Sequence, residues 1–299
     1  MDSTVGFIGL GHMGGAIAEQ YLKAGHKTVV FDLSEKLMAK LAAQGAQAAG
    51  SARQLADSVD IIVACLPSPA ASHAVALGEQ GICHGRKVKF YIETSTIGVM
   101  ACKNIAAGLA QYQIQMIDAP VSGGPRAAAQ GKLTSMVAAP AAAWDQASPV
   151  INAYSGKTFL VGKEPGLAQA CKLVNNALSL STLALACETA VFGVAAGLDA
   201  HTMIEVINAS SGRSAATQDK FPASILNRHF DYGASVRTAA KDLALFVQEA
   251  QALGMDVSGT SRLADIWKNA EAAGDPERDF TTLIQHYETA PDVIVGRPA

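Results

Sequence analysis

The sequence is poor in charged and aromatic side chains. Only 16% of its 299 residues are Asp, Glu, Lys or Arg, and 6% are aromatic. A formal net charge of -3 provides no basic surface of the kind that binds nucleic acid or anionic membranes. The chain also lacks low-complexity tracts and runs of like charge, which excludes a long disordered tail. Its length and its 49% hydrophobic content suit two globular domains.

Cysteine is sparse as well, and no two cysteines form a C-x-x-C pair. The five cysteines are Cys65, Cys83, Cys102, Cys171 and Cys187. This scatter argues against a disulfide framework and against a zinc site, and it favours reduced thiols. No apolar run reaches transmembrane length without a polar interruption, and a strand pattern begins too early for a signal peptide. We therefore expect a cytoplasmic protein that binds no metal and no membrane.

A glycine-rich junction between a strand and a helix carries the first functional motif. The apolar run that starts at residue 4 leads into GLGHMG at 9–14, and a helical pattern follows. The first glycine allows a tight turn, the second lets a pyrophosphate approach the backbone, and the third lets the helix pack on the strand. The helix N-terminus would supply hydrogen-bond donors to the phosphates. The predicted cofactor contacts here are Gly9, Gly11, His12, Met13 and Gly14.

An acidic residue, Asp32, ends the next predicted strand. A carboxylate at this point accepts hydrogen bonds from the ribose hydroxyls of NAD and repels the 2′-phosphate of NADP. The residues that follow offer no arginine to hold that phosphate, and Lys36 is the only nearby cation. The sequence therefore predicts NAD rather than NADP.

Strand and helix patterns alternate to the end of the first predicted domain, residues 1–163. The alternation predicts an α/β domain with a Rossmann-like, doubly wound parallel sheet. Ligands collect at the carboxyl ends of such strands, where this chain has Leu66, Pro67 and Thr96. Position alone makes each of the three a candidate cofactor contact, although an ordinary loop role fits equally.

A serine followed by two glycines lies after a later predicted strand. Ser122, Gly123 and Gly124 can expose consecutive backbone N–H groups, a concave arrangement suited to a carboxylate. The same three residues are common in plain turns, so the segment is a candidate substrate site and no more.

A long apolar helix, predicted from Pro165 to Ala196, joins this domain to an all-α domain over residues 164–299. It is mostly Ala, Leu and Val, which predicts burial on nearly all sides. Its polar residues form a stripe near its start: Gln169, Lys172, Asn175, Asn176 and Ser179. A lysine is rarely buried without a partner or a task. The alternative is a partly exposed Lys172 whose aliphatic stem alone packs on apolar surface.

The remainder of the chain predicts helices and no strands. Arg213 lies in the turn SSGRS at 210–214, where it could contact an anion or be an exposed turn residue. The last nine residues predict a loose tail.

Four segments together resemble the β-hydroxyacid dehydrogenase family, which includes the 3-hydroxyisobutyrate dehydrogenases and has an N-terminal domain similar to that of the 6-phosphogluconate dehydrogenases. The segments are GFIGLGHMG at 6–14, DAPVSGG at 118–124, GLAQACKLVNNAL at 166–178 and KDLALF at 241–246. They occur in the family's order and spacing, and the resemblance covers essentially the whole chain.

The resemblance implies an enzyme that transfers a hydride between NAD and a small β-hydroxy acid or its semialdehyde. It implies that Lys172 is the general acid/base and that Ser122, Gly123 and Gly124 hold the substrate carboxylate. Asn176 would position the substrate, with Asn175 a weaker candidate. Lys241 would contact the cofactor from the helical domain, and Thr96 would lie near the nicotinamide. A homodimer or homotetramer is expected, because the helical domain alone would expose a sizeable apolar patch.

Two alternatives stay open at this point. An NADPH-dependent glyoxylate, succinic semialdehyde or tartronate semialdehyde reductase would have the same motifs. A dinucleotide-binding module without catalysis would keep the glycine loop, although an intact Lys172 and Asn176 speak against it. Where some hydroxyisobutyrate enzymes have tryptophan, this chain has Ser214-Ala215, which argues against hydroxyisobutyrate and leaves room for a larger or more polar acid.

Overall fold

The structure is a computed structural model and describes residues 4–296. The chain divides into two compact units, Met1–Lys172 and Leu173–Ala299. The predicted boundary at residue 163 remains a prediction. The first unit is α/β and the second is helical.

The described part of the first unit is organised around one nine-stranded sheet. Its strands are β1 (Val5–Ile8), β2 (Thr28–Phe31), β3 (Gln47–Ala48), β4 (Ile61–Ala64), β5 (Phe90–Glu93), β6 (Gln115–Asp118), β7 (Val121–Ser122), β8 (Leu133–Ala138) and β9 (Ser155–Gly162). The order is β3-β2-β1-β4-β5-β6-β8-β7, with β9 paired to β8. Strands β1 to β6 are parallel, as predicted, whereas β8 runs antiparallel to β6 and β7.

Both faces of the parallel strands are covered. In β1, Val5 and Phe7 pack into one apolar cluster and Ile8 into another. Strand β4 alternates in the same way, because successive side chains point to opposite faces of a sheet. This alternation confirms the doubly wound fold.

The helices of this unit include three whose serine caps close their first turns. The helices up to residue 152 are α1 (His12–Lys23), α2 (Glu35–Ala42), α3 (Ala52–Ala56), α4 (Pro69–Leu77), α5 (Val99–Ala110), α6 (Gly124–Ala129) and α7 (Ala141–Asn152), with a 3-10 turn at Ile82–His84. Ser34, Ser51 and Ser68 accept hydrogen bonds from the amides of Leu37, Gln54 and Ala71. Such caps satisfy donors that a helix start would otherwise leave unpaired.

The predicted long helix is present as α8 (Leu167–Ala195). Its 29 residues span about 43 Å. The expectation of burial on nearly all sides is wrong for the single chain. The exposed apolar residues of α8 are Leu167, Val174, Leu178, Leu185 and Phe192.

Helix α8 is long and apolar enough on average to cross a membrane, although polar residues such as Lys172 and Glu188 interrupt it, as the sequence indicated. Among the described residues it alone meets that criterion by length and composition, and 39% of its most apolar window is buried inside the fold. A core helix meets the same test, and α8 contains the buried Gln169 and Lys172.

The second unit consists of helices packed around Trp267, Phe221 and Phe280. They are α9 (Ala200–Ala209), a π-helix (Ala216–Ile225), α10 (Val236–Ala252), α11 (Ser258–Ala272), a 3-10 turn (Phe280–Leu283) and α12 (Ile284–Tyr287). The sequence predicted helices throughout this unit, but it did not indicate the wider π-turns at Ala216–Ile225.

The predicted loose tail is also wrong for the residues that the structure describes. Val295 is fully buried, its amide donates to Glu288 and its carbonyl accepts from Arg228. Residues 297–299 of the predicted tail lie outside the described part of the chain.

Candidate active site

The glycine loop has the backbone that a dinucleotide site requires. Gly9 has a φ of +84°, and a Cβ there would overlap the carbonyl oxygen of Cys65. A Cβ on Gly14 would overlap the carbonyl oxygen of Gly9, because α1 begins directly against β1. A Cβ on Gly11 would have no atom within 4 Å. The first and third glycines are thus needed for packing, and the second faces open space that fits a pyrophosphate.

Asp32 lies beside this loop at the end of β2. Its Oδ2 accepts from the amide of Leu10 at 2.6 Å and its Oδ1 from the amide of Ser34 at 2.8 Å. Asp32 is only half-buried, and each carboxylate oxygen has a second lone pair. The carboxylate is therefore held in place by the backbone and can still accept from a ribose.

The remaining predicted cofactor contacts of this unit lie in loops after parallel strands or in the first turn of α1. Leu66 follows β4, and its amide donates to Ser95 Oγ at 2.7 Å. Pro67 and His12 are exposed, and Met13 and Thr96 are half-buried. Ser95, which ties the loop after β4 to the loop after β5, was not predicted as a site residue although it precedes Thr96 directly.

The predicted carboxylate site follows the short strand β7. Ser122 is half-buried at its end. Gly123 and Gly124 have φ values of +126° and +70°, which other residues rarely adopt. The two glycines are thus required by the backbone, and α6 begins at the second of them.

The start of α8 is held by a buried carboxylate that sequence reasoning missed. Asp118 Oδ2 accepts from the amides of Gly166, Ala168 and Gln169 at 2.8, 3.1 and 3.2 Å. Burial raises the pKa of Asp118, although the hydrogen bonds from the Gln169 side chain and these amides oppose the rise. The one available signal was an aspartate at the end of an apolar strand.

Gln169 joins the same network through its side chain. Its Nε2 donates to Asp118 Oδ1 and to the carbonyl of Ser95, both at 3.0 Å. Its Oε1 accepts from the amides of Ile97 and Gly98 at 2.9 and 3.2 Å. The first residue of the predicted polar stripe is thus a structural connector.

Lys172 lies one turn beyond Gln169 on α8. Its side chain is buried, with 8% of the residue exposed. The fixed helix start therefore determines where the Lys172 backbone lies in this unit. The alternative of a partly exposed lysine with only its stem packed is not what the structure has.

In the second unit, Asn176 is hydrogen-bonded to an aspartate of α10. Its Nδ2 donates to Asp242 Oδ2 at 2.6 Å, and Lys241 Nζ lies 2.9 Å from Asp242 Oδ1. Asn175 is exposed and donates to Asn176 Oδ1 at 3.0 Å. Asp242 links two predicted site residues, Asn176 and Lys241, and was itself missed although it belongs to the KDL motif.

Arg213 and the possible metal ligands add little to the candidate site. Arg213 is exposed, so both readings of it stay open. Within residues 4–296, no group of three His, Cys, Asp or Glu side chains could hold a metal ion. The cysteines of this part of the chain form no disulfide.

Two family models match the chain in succession. Residues 4–162 match the NAD binding domain of 6-phosphogluconate dehydrogenase. Residues 166–287 match the NAD-binding domain of NADP-dependent 3-hydroxyisobutyrate dehydrogenase.

Characterised relatives and solved structures agree with these matches. The chain is 33% identical to 2-(hydroxymethyl)glutarate dehydrogenase of Eubacterium barkeri, over 98% of this chain and 97% of that protein. It is 34% identical to the NAD-dependent L-serine dehydrogenase of Pseudomonas aeruginosa, over 95% and 97%. A structure of Mycobacterium tuberculosis 3-hydroxyisobutyrate dehydrogenase with L-serine matches with a TM-score of 0.88 at 28% identity, over 96% of this chain and all of that one. The chain therefore belongs to the β-hydroxyacid dehydrogenases, NAD-binding oxidoreductases that act on the CH–OH group of small hydroxy acids.

Proposed function

We propose that this enzyme acts on acids of the form HOCH₂–CHR–COO⁻, with Lys172 as the general acid/base. The observation that carries the role of Lys172 is its burial on a helix whose first turn is fixed by Asp118 and Gln169. An amine held at a fixed position can take a proton from a bound hydroxyl and return it in the reverse reaction.

The chemistry divides between the cofactor and the chain. Bound NAD supplies the hydride acceptor, and NADH the donor. In the oxidising direction, the neutral Nζ of Lys172 takes the proton of the substrate hydroxyl; in the reducing direction, its ammonium returns a proton to the carbonyl oxygen. Ser122, Gly123 and Gly124 bind the carboxylate through backbone donors and the hydroxyl. Asn176, held by Asp242, orients the substrate.

The substrate class is supported by what the substrates named for three of the relatives have in common. 2-(Hydroxymethyl)glutarate, L-serine and 3-hydroxyisobutyrate each carry a hydroxymethyl group on the carbon that bears the carboxylate. They differ in the third substituent, R. We therefore assign the hydroxymethyl carbon as the reacting centre. The side chains that surround R would then determine which substituent the enzyme accepts.

NADH formation with a panel of such acids tests this assignment, with Lys172→Ala as the decisive variant. The variant should lose roughly 10²- to 10⁴-fold in kcat and retain its affinity for NAD. The exposed Lys163, changed to Ala, is the matched control and should leave kcat unchanged. Undiminished turnover in Lys172→Ala would remove the lysine from the mechanism. Absence of turnover with every acid in wild type would reject the substrate class.

We further propose that the enzyme is a cytoplasmic homo-oligomer that pairs through α8. Val174, Leu178, Leu185 and Phe192 are exposed at intervals of four and seven residues, so they form one apolar stripe. A second copy is the simplest surface that matches an apolar stripe of this length, in which the exposed Glu188 is the one charged residue between Leu185 and Phe192. Sedimentation of wild type should give at least a dimer, and Leu185→Glu with Phe192→Glu should shift it to monomer. Leu253→Glu, at an exposed leucine away from α8, is the control. A monomeric wild type would contradict the proposal.

A further inference from the structure

The second unit contains a buried lysine that the mechanism does not use. Lys220 lies in the π-helix and is 5% exposed. Among the described lysines, only Lys172 and Lys220 are buried. Removing an ammonium group from water is costly unless an opposite charge or a full set of acceptors replaces the lost hydration. The position of Lys220 therefore calls for an explanation.

The neighbours of Lys220 within the described chain do not neutralise it. Its Nζ donates to Ser179 Oγ at 3.2 Å and lies 5.6 Å from the ring centroid of Tyr232. Neither group is a carboxylate. Burial lowers the pKa of Lys220, and the exposed carboxylate of Asp219 only partly opposes this. One hydroxyl acceptor and one aromatic ring leave an ammonium group, which has three donors, short of acceptors.

Through Ser179, this amine lies on the same face of α8 as Asn176, which we proposed to orient the substrate. Ser179 follows Asn176 by three residues, so the two side chains share a helix face. The rise between them is about 4.5 Å, comparable with an extended chain of three or four carbon–carbon bonds. Lys220 is thus held one turn from the residue proposed to orient the substrate.

We propose that Lys220 binds a second acidic group, a carboxylate at the end of the substituent R. The enzyme then prefers hydroxymethyl diacids, in which R carries two or three carbons ending in a carboxylate, over the corresponding monoacids. The proposal rests on the substrate class assigned above and adds that Lys220 determines which substituent R is preferred. A distal carboxylate would complete the acceptors of the ammonium group and form a charge-assisted hydrogen bond, which is stronger than the bond to Ser179.

The test compares a diacid with a monoacid in four forms of the enzyme. Steady-state kinetics are measured with 2-(hydroxymethyl)glutarate and 3-hydroxyisobutyrate for wild type, Lys220→Met, Lys220→Arg and the control Lys268→Met, an exposed lysine on α11. Lys220→Met should lower kcat/KM for the diacid roughly 10- to 100-fold, mainly through KM, and change the monoacid less than about threefold. Lys220→Arg should restore part of the diacid preference, and the control should resemble wild type.

Several outcomes would overturn the proposal. Wild type could use both acids equally, or Lys220→Met could slow both to the same extent, which would make Lys220 a structural residue. Inhibition of wild type provides a measurement that does not depend on how the variants fold: glutarate should compete more strongly than butyrate by at least about tenfold. Equal inhibition would be the third contrary result. Turnover of monoacids alone would leave the assigned reaction intact and reject only the role of Lys220.

Discussion

Asp118 and Gln169 are joined by two hydrogen bonds, from the Gln169 amide to Asp118 Oδ2 and from its side-chain Nε2 to Oδ1. The pair connects the end of β6 to the first turn of α8. Through Gln169 the connection extends to Ser95 and Ile97 beyond β5. The helix that carries Lys172 therefore begins at a point fixed by two neighbouring parallel strands.

Replacing Asp118 with alanine should destabilise the protein and displace Lys172. Three backbone amides and the Gln169 side chain would lose their acceptor in a buried place, which we expect to lower the free energy of unfolding by about 2–4 kcal/mol. Urea unfolding measures the loss, with the exposed Asp145→Ala as control. A variant as stable as wild type would show that the pair does not hold the helix.

Glu93 should make stability depend on pH. Burial raises the pKa of this carboxyl, although the Ser95 amide and the Tyr91 hydroxyl donate to it and oppose the rise. Because the pKa of Glu93 is raised, the folded protein binds this proton more tightly than the unfolded chain does, and proton binding therefore stabilises the fold. This contribution is complete below the pKa of the unfolded chain and is lost as pH rises through the pKa of the folded protein.

Glu93→Gln should remove this dependence, because glutamine can accept from the Ser95 amide and donate to Tyr91. As pH rises from about 5 to about 8, wild type should lose unfolding free energy relative to the variant. Each tenfold difference in proton affinity contributes about 1.4 kcal/mol. Parallel pH profiles for the two proteins would contradict the assignment.

The glycine loop offers two substitutions with opposite expected effects. Gly11→Ala should fold normally, because its Cβ meets no neighbour, but weaken NAD binding about tenfold or more by crowding the pyrophosphate. Gly14→Ala should lower stability by about 1–3 kcal/mol, because its Cβ overlaps the Gly9 carbonyl. Titration calorimetry with NAD and thermal unfolding separate the two. Normal NAD affinity in Gly11→Ala would place the phosphates elsewhere.

Asp32 should decide between the two nicotinamide cofactors. Asp32→Ser removes the carboxylate that accepts from the ribose and repels a 2′-phosphate, so the ratio of kcat/KM for NADH to that for NADPH should fall about 10- to 100-fold. The exposed Glu35→Ser is the control for a change of surface charge nearby. A wild type that already prefers NADPH would contradict the prediction of NAD specificity.

Local pattern was sufficient for much of the fold and for several site residues. Alternating strands and helices predicted the doubly wound sheet, and the helix from Leu167 to Ala195 was predicted within two residues at each end. These features follow from apolar periodicity and from backbone conformations that only glycine adopts easily, both of which are readable along the chain.

Contacts between distant segments were not readable in that way. The sequence alone determined that Gln169 and Lys172 share a helix face and that Gly9 and Gly14 lie at a tight turn. Only the tertiary structure decided that Gln169 is hydrogen-bonded to Asp118, that Asp242 holds Asn176, and that Lys220 is buried against Ser179. Hydrogen bonds between residues 41 to 66 positions apart depend on which elements pack together, and burial decides which polar group must find a partner.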